Sequence, residues 1–505
     1  MSLSIVADGA KPSPSGIKVI VVGAGFGGLT AAIECVRQGH SVSIYESFPE
    51  LKSLGDIISF GSNAGRIFNR VCGRNPIDPA WNKQPLRKYL NVFPTIPQSR
   101  VYELARVSSF SHLLHPGIPS RRFKCDKLTS LPPIKWSDGK VAAAMRAVSI
   151  DLRQYGFKIH KYDTGEVVAH QKNHDQDPLA PTFNGHRGEL HGIVFNHAKE
   201  LGIPIHLGRK AVRYFENEKE AGIELDNGEI VTADMVVGSD GVRSIARTLV
   251  LGYEDKPKSS GYAVYRAWFS NKDMIADPRT ADFCNNGDTF NGWIGPDVHF
   301  LFSTIKNGSD CCWVLTHRDD HDIDESWSFP GKLEDVYKVL EGWDPMCRAI
   351  VEKTPSVVDW KLVYRDPLPT WVSKQGRIAL LGDAAHPFLP TSAQGATQAV
   401  EDGVTLAITL KRAGKANVPA AVRTYQEIRY DRVKAVQKTG ETTRDMWHKT
   451  DWDKVKKDPK SIQFPREDWI LKLDAERHAE EVFEETFQKC LTSGKQNGTV
   501  APAAL

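Results

Sequence analysis

The residues best suited to do chemistry cluster at three glycine- and acid-rich turns. Gly23-Ala24-Gly25-Phe26-Gly27-Gly28 follows the β-branched run Ile17-Lys-Val-Ile-Val-Val22 without a break. Gly23, Gly25 and Gly28 therefore satisfy GxGxxG directly after an apolar strand and directly before a helix. In that setting the first glycine makes the tight turn and the second admits a pyrophosphate against the backbone. The third lets the helix pack on the strand, with its N-terminal N–H groups facing phosphate oxygens. Glu46, eighteen residues past Gly28 at the end of the next strand, is placed to accept hydrogen bonds from adenosine ribose hydroxyls. An acid there disfavours a 2′-phosphate, so the tightly held dinucleotide is FAD or NAD. Two more turns follow buried-strand runs: Gly238-Ser239-Asp240-Gly241 after Met235-Val236-Val237, and Gly382-Asp383-Ala384-Ala385-His386-Pro387 after Ile378-Ala379-Leu380-Leu381.

The elements that must hold these turns are legible from pattern. The run 17–22 reads as a strand buried on both faces, Leu29–Gln38 as a helix stopped by Gly39, and Ser41–Tyr45 as a second strand, giving a βαβ start. An apolar-periodic helix is expected over Gly395–Ala413, closed by Gly414. Gly261–Thr316 alternates aromatic and β-branched residues between Gly, Asn and Asp breaks, which predicts a mostly antiparallel sheet. Alternation there puts Tyr262, Val264 and Arg266 on one face and Ala263, Tyr265 and Ala267 on the other. Trp469, Ile470, Leu473, Val482, Phe483, Thr486 and Phe487 recur at helical steps and predict a C-terminal helix packed on the body.

Composition excludes several classes. The chain has 505 residues, 25% charged and 41% hydrophobic, with 65 basic and 62 acidic side chains, so disorder, fibrous repeats and disulfide mini-scaffolds are ruled out. No run of about eighteen apolar residues suits a membrane span. Residues 1–16 read as a loose tail without a signal-peptide core, and a cytoplasmic location is expected. Eight scattered cysteines without a CxxC pair read as reduced thiols, with Cys311 and Cys312 as buried strand residues. The pairs His112/His115 and His317/His321 lack a third ligand nearby and read as no metal site.

Residues 75–150 stand apart: they hold nine of the 29 prolines and twelve basic against four acidic residues. They read as an irregular insertion, either a lid or non-native coding material such as a translated intron. Their net +8 leaves −5 for the remainder of a chain whose total is +3. Without an aromatic platform or a matching fold, that basic segment is not read as a nucleic-acid site.

The second and third turns carry a family resemblance. Val236-Val237-Gly238-Ser239-Asp240-Gly241-Val242-Arg243-Ser244 looks like the "DG" fingerprint of flavoprotein aromatic hydroxylases, with Ser239 where the usual form has Ala. Arg377-Ile378-Ala379-Leu380-Leu381-Gly382-Asp383-Ala384-Ala385-His386-Pro387 resembles their "GD" fingerprint, whose Asp holds the flavin ribityl hydroxyls. Pro390 and Gln394-Gly395-Ala396 are similar to the loop and helix start that face the flavin pyrimidine ring, with Ala393 replacing the first Gly of the usual Gly-Gln-Gly. His186-Arg187-Gly188-Glu189-Leu190 resembles the Arg-bearing helix start beside the cofactor. Over most of 17–74 and 157–440 the chain thus resembles group A FAD-dependent monooxygenases of the salicylate-hydroxylase-like kind, particularly fungal secondary-metabolism and phenolic-detoxification members.

The resemblance implies an α/β protein of the p-hydroxybenzoate hydroxylase-like fold: a Rossmann-type FAD-binding domain, an inserted mostly antiparallel β substrate domain and a C-terminal helical region. The expected division is 1–16 tail, 17–74, 151–256 and 365–440 FAD-binding, 75–150 insertion, 257–364 substrate domain and 441–505 helical. It implies tightly bound FAD, transient NAD(P)H, and O2 chemistry through a flavin hydroperoxide that hydroxylates or epoxidises an aromatic, phenolic or polyketide-like small molecule. A flavin oxidase, dehydrogenase or halogenase on the same scaffold, or a non-catalytic FAD-binding protein, are the alternatives. Cofactor contacts are expected from Gly23, Gly25, Gly28, Glu46, Arg187, Asp240, Gly382, Asp383, Gly395 and Ala396. Arg266 is expected to face substrate and flavin, because a buried phenolate needs a cation, with Tyr262 as the neighbouring hydrogen-bonding residue. His386, beside Pro387, reads as shaping its turn.

Overall fold

The computed structural model describes residues 13–51, 57–70, 139–151, 156–172, 177–319 and 329–496. Cys72, Cys125, His112, His115, His321, the tail 1–12 and most of the segment 75–150 lie outside the described residues.

A five-stranded parallel sheet forms the centre of the cofactor half, in the order Ile378–Leu380, Met235–Gly238, Lys18–Val22, Ser41–Glu46, Ile205–Leu207. Val19 to Val22 and Met235 to Val237 are buried on both sides, as their unbroken β-branched character requires. The register is what matters for function: Val22 pairs with Gly238 and with Tyr45, and Gly238 pairs with Leu380. All three turns therefore leave the sheet at one carboxyl edge, where open α/β sheets bind ligands. The helix Phe26–Arg37 crosses the helix Gly395–Ala413 so closely that a Cβ on Gly403 would lie 2.7 Å from the Ala31 amide nitrogen.

The second layer is an eight-stranded sheet in the order Phe329–Pro330, Val358–Tyr364, Lys258–Ser270, Asp310–Arg318, Val298–Ile305, Phe290–Gly295, Phe157–Lys161, Val167–Gln171. It is antiparallel except where Phe290–Gly295 runs parallel to Phe157–Lys161. One face, with Tyr265, Ala267, Phe269, Trp313 and Leu315, is buried under the helices Leu333–Val339 and Pro345–Val351. The other face carries Val264, Arg266 and Trp268 opposite Thr316, Val314 and Cys312, which are opposite His299, Leu301 and Ser303. Trp268 packs edge-on to His186, 4.7 Å between ring centroids, and Lys306 pairs with Glu189 at 2.5 Å. Both partners belong to the start of the helix Arg187–Glu200, whose His191 Nε2 lies 2.6 Å from the Ala24 carbonyl. The Arg266 face therefore looks toward the glycine turn.

Several expected boundaries differ from the structure. Phe157–Gln171, expected in a cofactor-binding part, joins the eight-stranded sheet because Phe157 and Ile159 alternate inward against Ile294 and Trp447. A single helix, Val418–His448, runs through the expected break at 440. The end of the supposedly irregular 75–150 segment forms the helix Lys140–Ala147, whose Val141, Ala142 and Met145 join the main core. The C-terminal pattern is split: Asp474 accepts from the Glu476 and Arg477 amides, separating Asp468–Leu471 from the helix Ala475–Gln496. Phe483 and Phe487 of that helix pack on Ala420, so it is a helix of the body.

Candidate functional site

The glycine turn shows which of its residues serve the protein and which leave room for something else. Gly23 has φ +97°, and a Cβ there would sit 2.4 Å from the Ser239 carbonyl oxygen. A Cβ on Gly28 would lie 2.1 Å from the Gly23 carbonyl oxygen. A Cβ on Gly25 would meet nothing within 4 Å. Gly25 caps the helix Phe26–Arg37 without a side-chain hydrogen bond, so its open space fronts a helix N-terminus, where a pyrophosphate fits. Glu46 reaches back over this turn: its Oε2 accepts from the Ala24 amide at 2.7 Å and its Oε1 from the Phe48 amide at 2.9 Å. That places a half-buried carboxylate beside the glycines.

Asp240 is held from within. Its Oδ2 accepts from Tyr214 Oη at 3.0 Å and from the Ile245 amide at 3.2 Å, and burial raises its pKa. The carboxylate thus fixes the shape of its turn. Ser239, the departure from the usual Ala, donates from Oγ to the Val22 carbonyl at 2.8 Å, stitching the second turn to the first. The third turn is tied to the second by Arg247, which pattern reading missed. Its Nη2 donates to the Asp383 and Ala384 carbonyls at 3.0 and 2.9 Å, and its Nη1 to the Val242 carbonyl at 3.0 Å. Burial, with Arg365 nearby, lowers its pKa to about 10, which leaves it cationic at neutral pH. An isolated Arg six residues after a motif carries no spacing signal, so only the fold identifies it.

Asp383 lies half-buried in the short 3-10 turn Gly382–Ala384. Beneath it runs a buried charge network. Asp402 Oδ2 takes His386 Nε2 at 2.6 Å and the Gly382 amide at 3.2 Å, while Oδ1 takes Arg429 Nε at 2.8 Å. Glu401 pairs with Arg429 and with Arg432, the latter at 2.8 and 2.9 Å, and accepts from Asn63 at 2.5 Å. Burial pushes both carboxyl groups up, but the cations outweigh it, and Glu401 ends at about 2. His386 is thus a support for the turn, pinned to Asp402. The loop above reaches Ala393 at φ +50°, a left-handed conformation, which is the physical reason a glycine suits that position. Gln394 then caps Gly395–Ala413 without a side-chain bond, so Gly395 and Ala396 stand at a helix N-terminus on the same edge as the other turns. Arg187, half-buried, opens the helix Arg187–Glu200.

On the facing sheet, Arg266 is buried with its guanidinium 4.6 Å from the Trp360 ring centroid, beside Val264 and Val314. Tyr262 shares that face but is committed elsewhere: its hydroxyl donates to Asp297 at 3.1 Å, and Arg318 and Arg444 flank its ring. The structure therefore gathers Gly23, Gly25, Gly28, Glu46, Asp240, Gly382, Asp383, Gly395 and Ala396 along one edge and Arg266 on the face opposite, with Tyr262 at the rim. Cys35, Cys284, Cys311, Cys312, Cys347 and Cys490 are free and buried, and His317 stacks on Tyr265 at 4.2 Å.

Comparison with known proteins agrees with this geometry. Residues 160–439 match the FAD binding domain family, and residues 21–51 match an NAD(P)-binding Rossmann-like domain. Asperlicin C monooxygenase of Petromyces alliaceus is 35% identical over 480 residues, 93% of this chain and 89% of the relative. FAD-dependent monooxygenase nanF of Aspergillus nanangensis is 30% identical over 94% of this chain and 90% of its own length. The crystal structure of CtdE in complex with FAD and a substrate matches with TM-score 0.75 at 29% identity, covering 94% of this chain and 100% of that one. A salicylate hydroxylase substrate complex shares the fold, with TM-score 0.66 at 20% identity over 93% of this chain and 98% of that one. Among the described residues no helix is long and apolar enough to cross a membrane. On identity and coverage together, the chain belongs to the FAD-dependent monooxygenases, oxidoreductases of the FAD binding domain family.

Proposed function

We propose that the protein uses NAD(P)H and O2 to hydroxylate or epoxidise an aromatic, phenolic or polyketide-like small molecule in secondary metabolism, acting in the cytoplasm. The observation that carries this reading is the common edge: three turns from three non-adjacent chain segments end side by side, opposite a buried arginine on the facing sheet. When bound, FAD supplies the chemistry, taking electrons from the nicotinamide and passing one oxygen atom of O2 to the substrate. The chain supplies the rest. Gly25 and the helix start behind it receive the pyrophosphate, Glu46 the ribose, Asp383 the ribityl hydroxyls, and Gly395 with Ala396 the pyrimidine edge. Arg187 stands beside the cofactor at a helix start. Arg266 places a buried cation where an electron-rich ring bearing negative charge can be held while Val264 and Val314 exclude water. Residues 17–70, 177–256 and 365–448 form the cofactor-binding part in this reading, and the eight-stranded sheet faces the substrate.

The test is oxygen-dependent NAD(P)H consumption by the holoprotein against a panel of phenols and polyketides, with mass spectrometry for a gain of one oxygen atom. An oxidase or dehydrogenase would convert substrate without that gain, and a halogenase would add halogen instead. Arg266→Ala should keep its flavin and lose turnover by about 10²-fold, the lower end of what a group acting in the transition state contributes. Unchanged turnover and substrate affinity would remove Arg266 from the site.

A further inference from the structure

The strands Val298–Ile305 and Asp310–Arg318 are joined by a turn that reaches from the eight-stranded sheet to the cofactor half. Three successive residues of that turn are left-handed: Lys306 at φ +56°, Asn307 at φ +58° and Gly308 at φ +81°. Gly and Asn adopt this conformation readily, whereas for a lysine it costs free energy. The surroundings hold the turn in place. Buried Asp288 accepts from the Gly308 amide at 3.2 Å through Oδ1 and from the Asp151 amide at 2.8 Å through Oδ2, and Asn271 donates to the Gly308 carbonyl at 2.8 Å. Strain over-determined by its surroundings in this way collects at sites where function uses it.

In that conformation Lys306, 26% exposed, brings its ammonium to the cofactor half: Nζ lies 2.5 Å from Glu189 Oε1 and 3.0 Å from Asp310 Oδ2. Asp310 Oδ2 also accepts from Trp268 Nε1 at 3.2 Å, and the Trp268 ring meets His186 edge-on at 4.7 Å between centroids. Two side chains of the sheet thus hold positions 186 and 189. Those positions are themselves joined, since His186 Nδ1 accepts from the Glu189 amide at 3.4 Å as the N-cap of the helix Arg187–Glu200. Arg187 stands between them. One turn further along, His191 Nε2 lies 2.6 Å from the Ala24 carbonyl of the glycine turn. The first turn of this helix is therefore fastened to the substrate-facing sheet at one end and to the cofactor edge at the other.

We propose that Lys306 is a positioning residue for oxygen transfer: through Glu189 it fixes the helix start that carries Arg187 and so sets the spacing between the cofactor edge and the Arg266 face, a role that rests on the hydroxylation proposed above. The role is exerted through Glu189 and needs no contact between Lys306 and substrate. Spacing matters because the reacting atoms must meet in a near-attack arrangement, and a displacement of about 1 Å can cost about 10²-fold in rate. When transfer to substrate is missed, NAD(P)H, a proton and O2 give NAD(P)+ and H2O2: two electrons pass from the nicotinamide to O2, and the substrate gains no oxygen. Oxygenated product per NAD(P)H consumed therefore reads the spacing. Tm reads the fastening alone, to which a partly exposed ion pair adds little.

The experiment compares wild-type holoenzyme with Lys306→Asn, Lys306→Met and Lys306→Arg on the phenol panel, measuring NAD(P)H consumed, oxygenated product and hydrogen peroxide, with flavin content and Tm alongside. Asn suits the left-handed turn but is too short to reach Glu189, so Lys306→Asn relieves the strain and breaks the contact together. Its Tm should equal or exceed that of wild type with flavin retained. Product per NAD(P)H should fall about threefold or more in the Asn and Met variants, with hydrogen peroxide making up the difference. Lys306→Arg, which keeps a cation within reach of Glu189, should recover much of the loss. A wild-type ratio of product to NAD(P)H in the Asn and Met variants would overturn the positioning role and leave the hydroxylase reading standing. So would a fall in Tm and flavin content in step with product in Lys306→Asn, the mark of a fastening and nothing more. Wild-type holoenzyme that oxygenates nothing in the panel would overturn the hydroxylase reading, and the positioning role with it. If Lys306→Met does not fold, Lys306→Asn decides.

Discussion

The cofactor edge and the substrate-facing sheet both bury polar groups, and they do it by opposite means. At the edge, full charges are taken inside and neutralised pairwise: Glu401 and Asp402 against Arg429, with Arg432 and His386 completing the network. Against the sheet, burial keeps the imidazoles of His299 and of His448 from the helix end uncharged, linked in a line to Thr316. Arg266 stands buried on that face as a charge, stacked on Trp360 beside Val264 and Val314. A network of fixed charges makes a rigid platform, since each ion is costly without its partner. A line of neutral rings can change its hydrogen bonds at little cost. The difference suits a rigid platform beside a face that keeps its buried polar groups neutral.

The strongest way to break that contrast is to remove one cation from the platform. Arg429→Met leaves Glu401 with Arg432 and Asp402 with His386 but removes the cation they share, and a loss of about 3–5 kcal/mol is expected, read by urea denaturation together with flavin release. A loss below about 1 kcal/mol would show that the network is not the support claimed for it. The glycine turn sharpens the comparison next. Gly28→Ala drives a Cβ into the Gly23 carbonyl and should destabilise the apoprotein by about 1–3 kcal/mol. Gly25→Ala, with open space around it, should leave apoprotein Tm unchanged and weaken FAD binding instead. Equal behaviour of the two variants in calorimetry and flavin titration would contradict the separation drawn between them. Glu46→Ala should likewise release flavin on dialysis with little change in Tm.

Acid should take the two regions apart in sequence. His448, at about 4 when folded against about 6.5 unfolded, binds fewer protons folded than unfolded in that window. Its contribution is complete above about pH 6.5 and is lost as pH falls to about 4. Glu401, held at about 2 against about 4.3 unfolded, contributes fully above its unfolded value and loses that contribution as pH falls through about 2. Tryptophan fluorescence, reporting Trp447 over His299, should therefore change at higher pH than flavin release does. A single coincident transition would refute this order. The smallest effect is expected at Ala393, where φ +50° strains an alanine: Ala393→Gly should stabilise by about 1 kcal/mol, visible as a modest rise in Tm.

Much of this was readable before any coordinates. The helix Gly395–Ala413 and its Gly414 stop match their pattern residue for residue, because apolar periodicity and a glycine with φ +75° are local properties. The faces of Lys258–Ser270 follow from alternation alone, which is why Arg266 could be chosen. The sheet membership of Phe157–Gln171 was not readable, since its pairing partner Phe290–Gly295 is over a hundred residues away. Nor was the helix through residue 440, since Gly440 is a glycine buried inside an unbroken helix, against Leu389 of a distant loop. Arg247, Tyr214 and the Asp402 network were invisible for a related reason: each acts between segments whose adjacency is tertiary.

What the amino-acid sequence determined by itself is the set of local devices: a glycine turn after a buried strand, an acid at the next strand end, two further strand–turn units and an alternating strand bearing Arg266. Each depends on backbone conformation or side-chain period within a few residues, and that information is carried in the order of residue types. The tertiary structure decided which devices share an edge, which cations neutralise Glu401 and Asp402, and which imidazole from the end of a helix meets His299. Those outcomes depend on distances between residues far apart in the chain, and distances of that kind exist only once register and packing have been set.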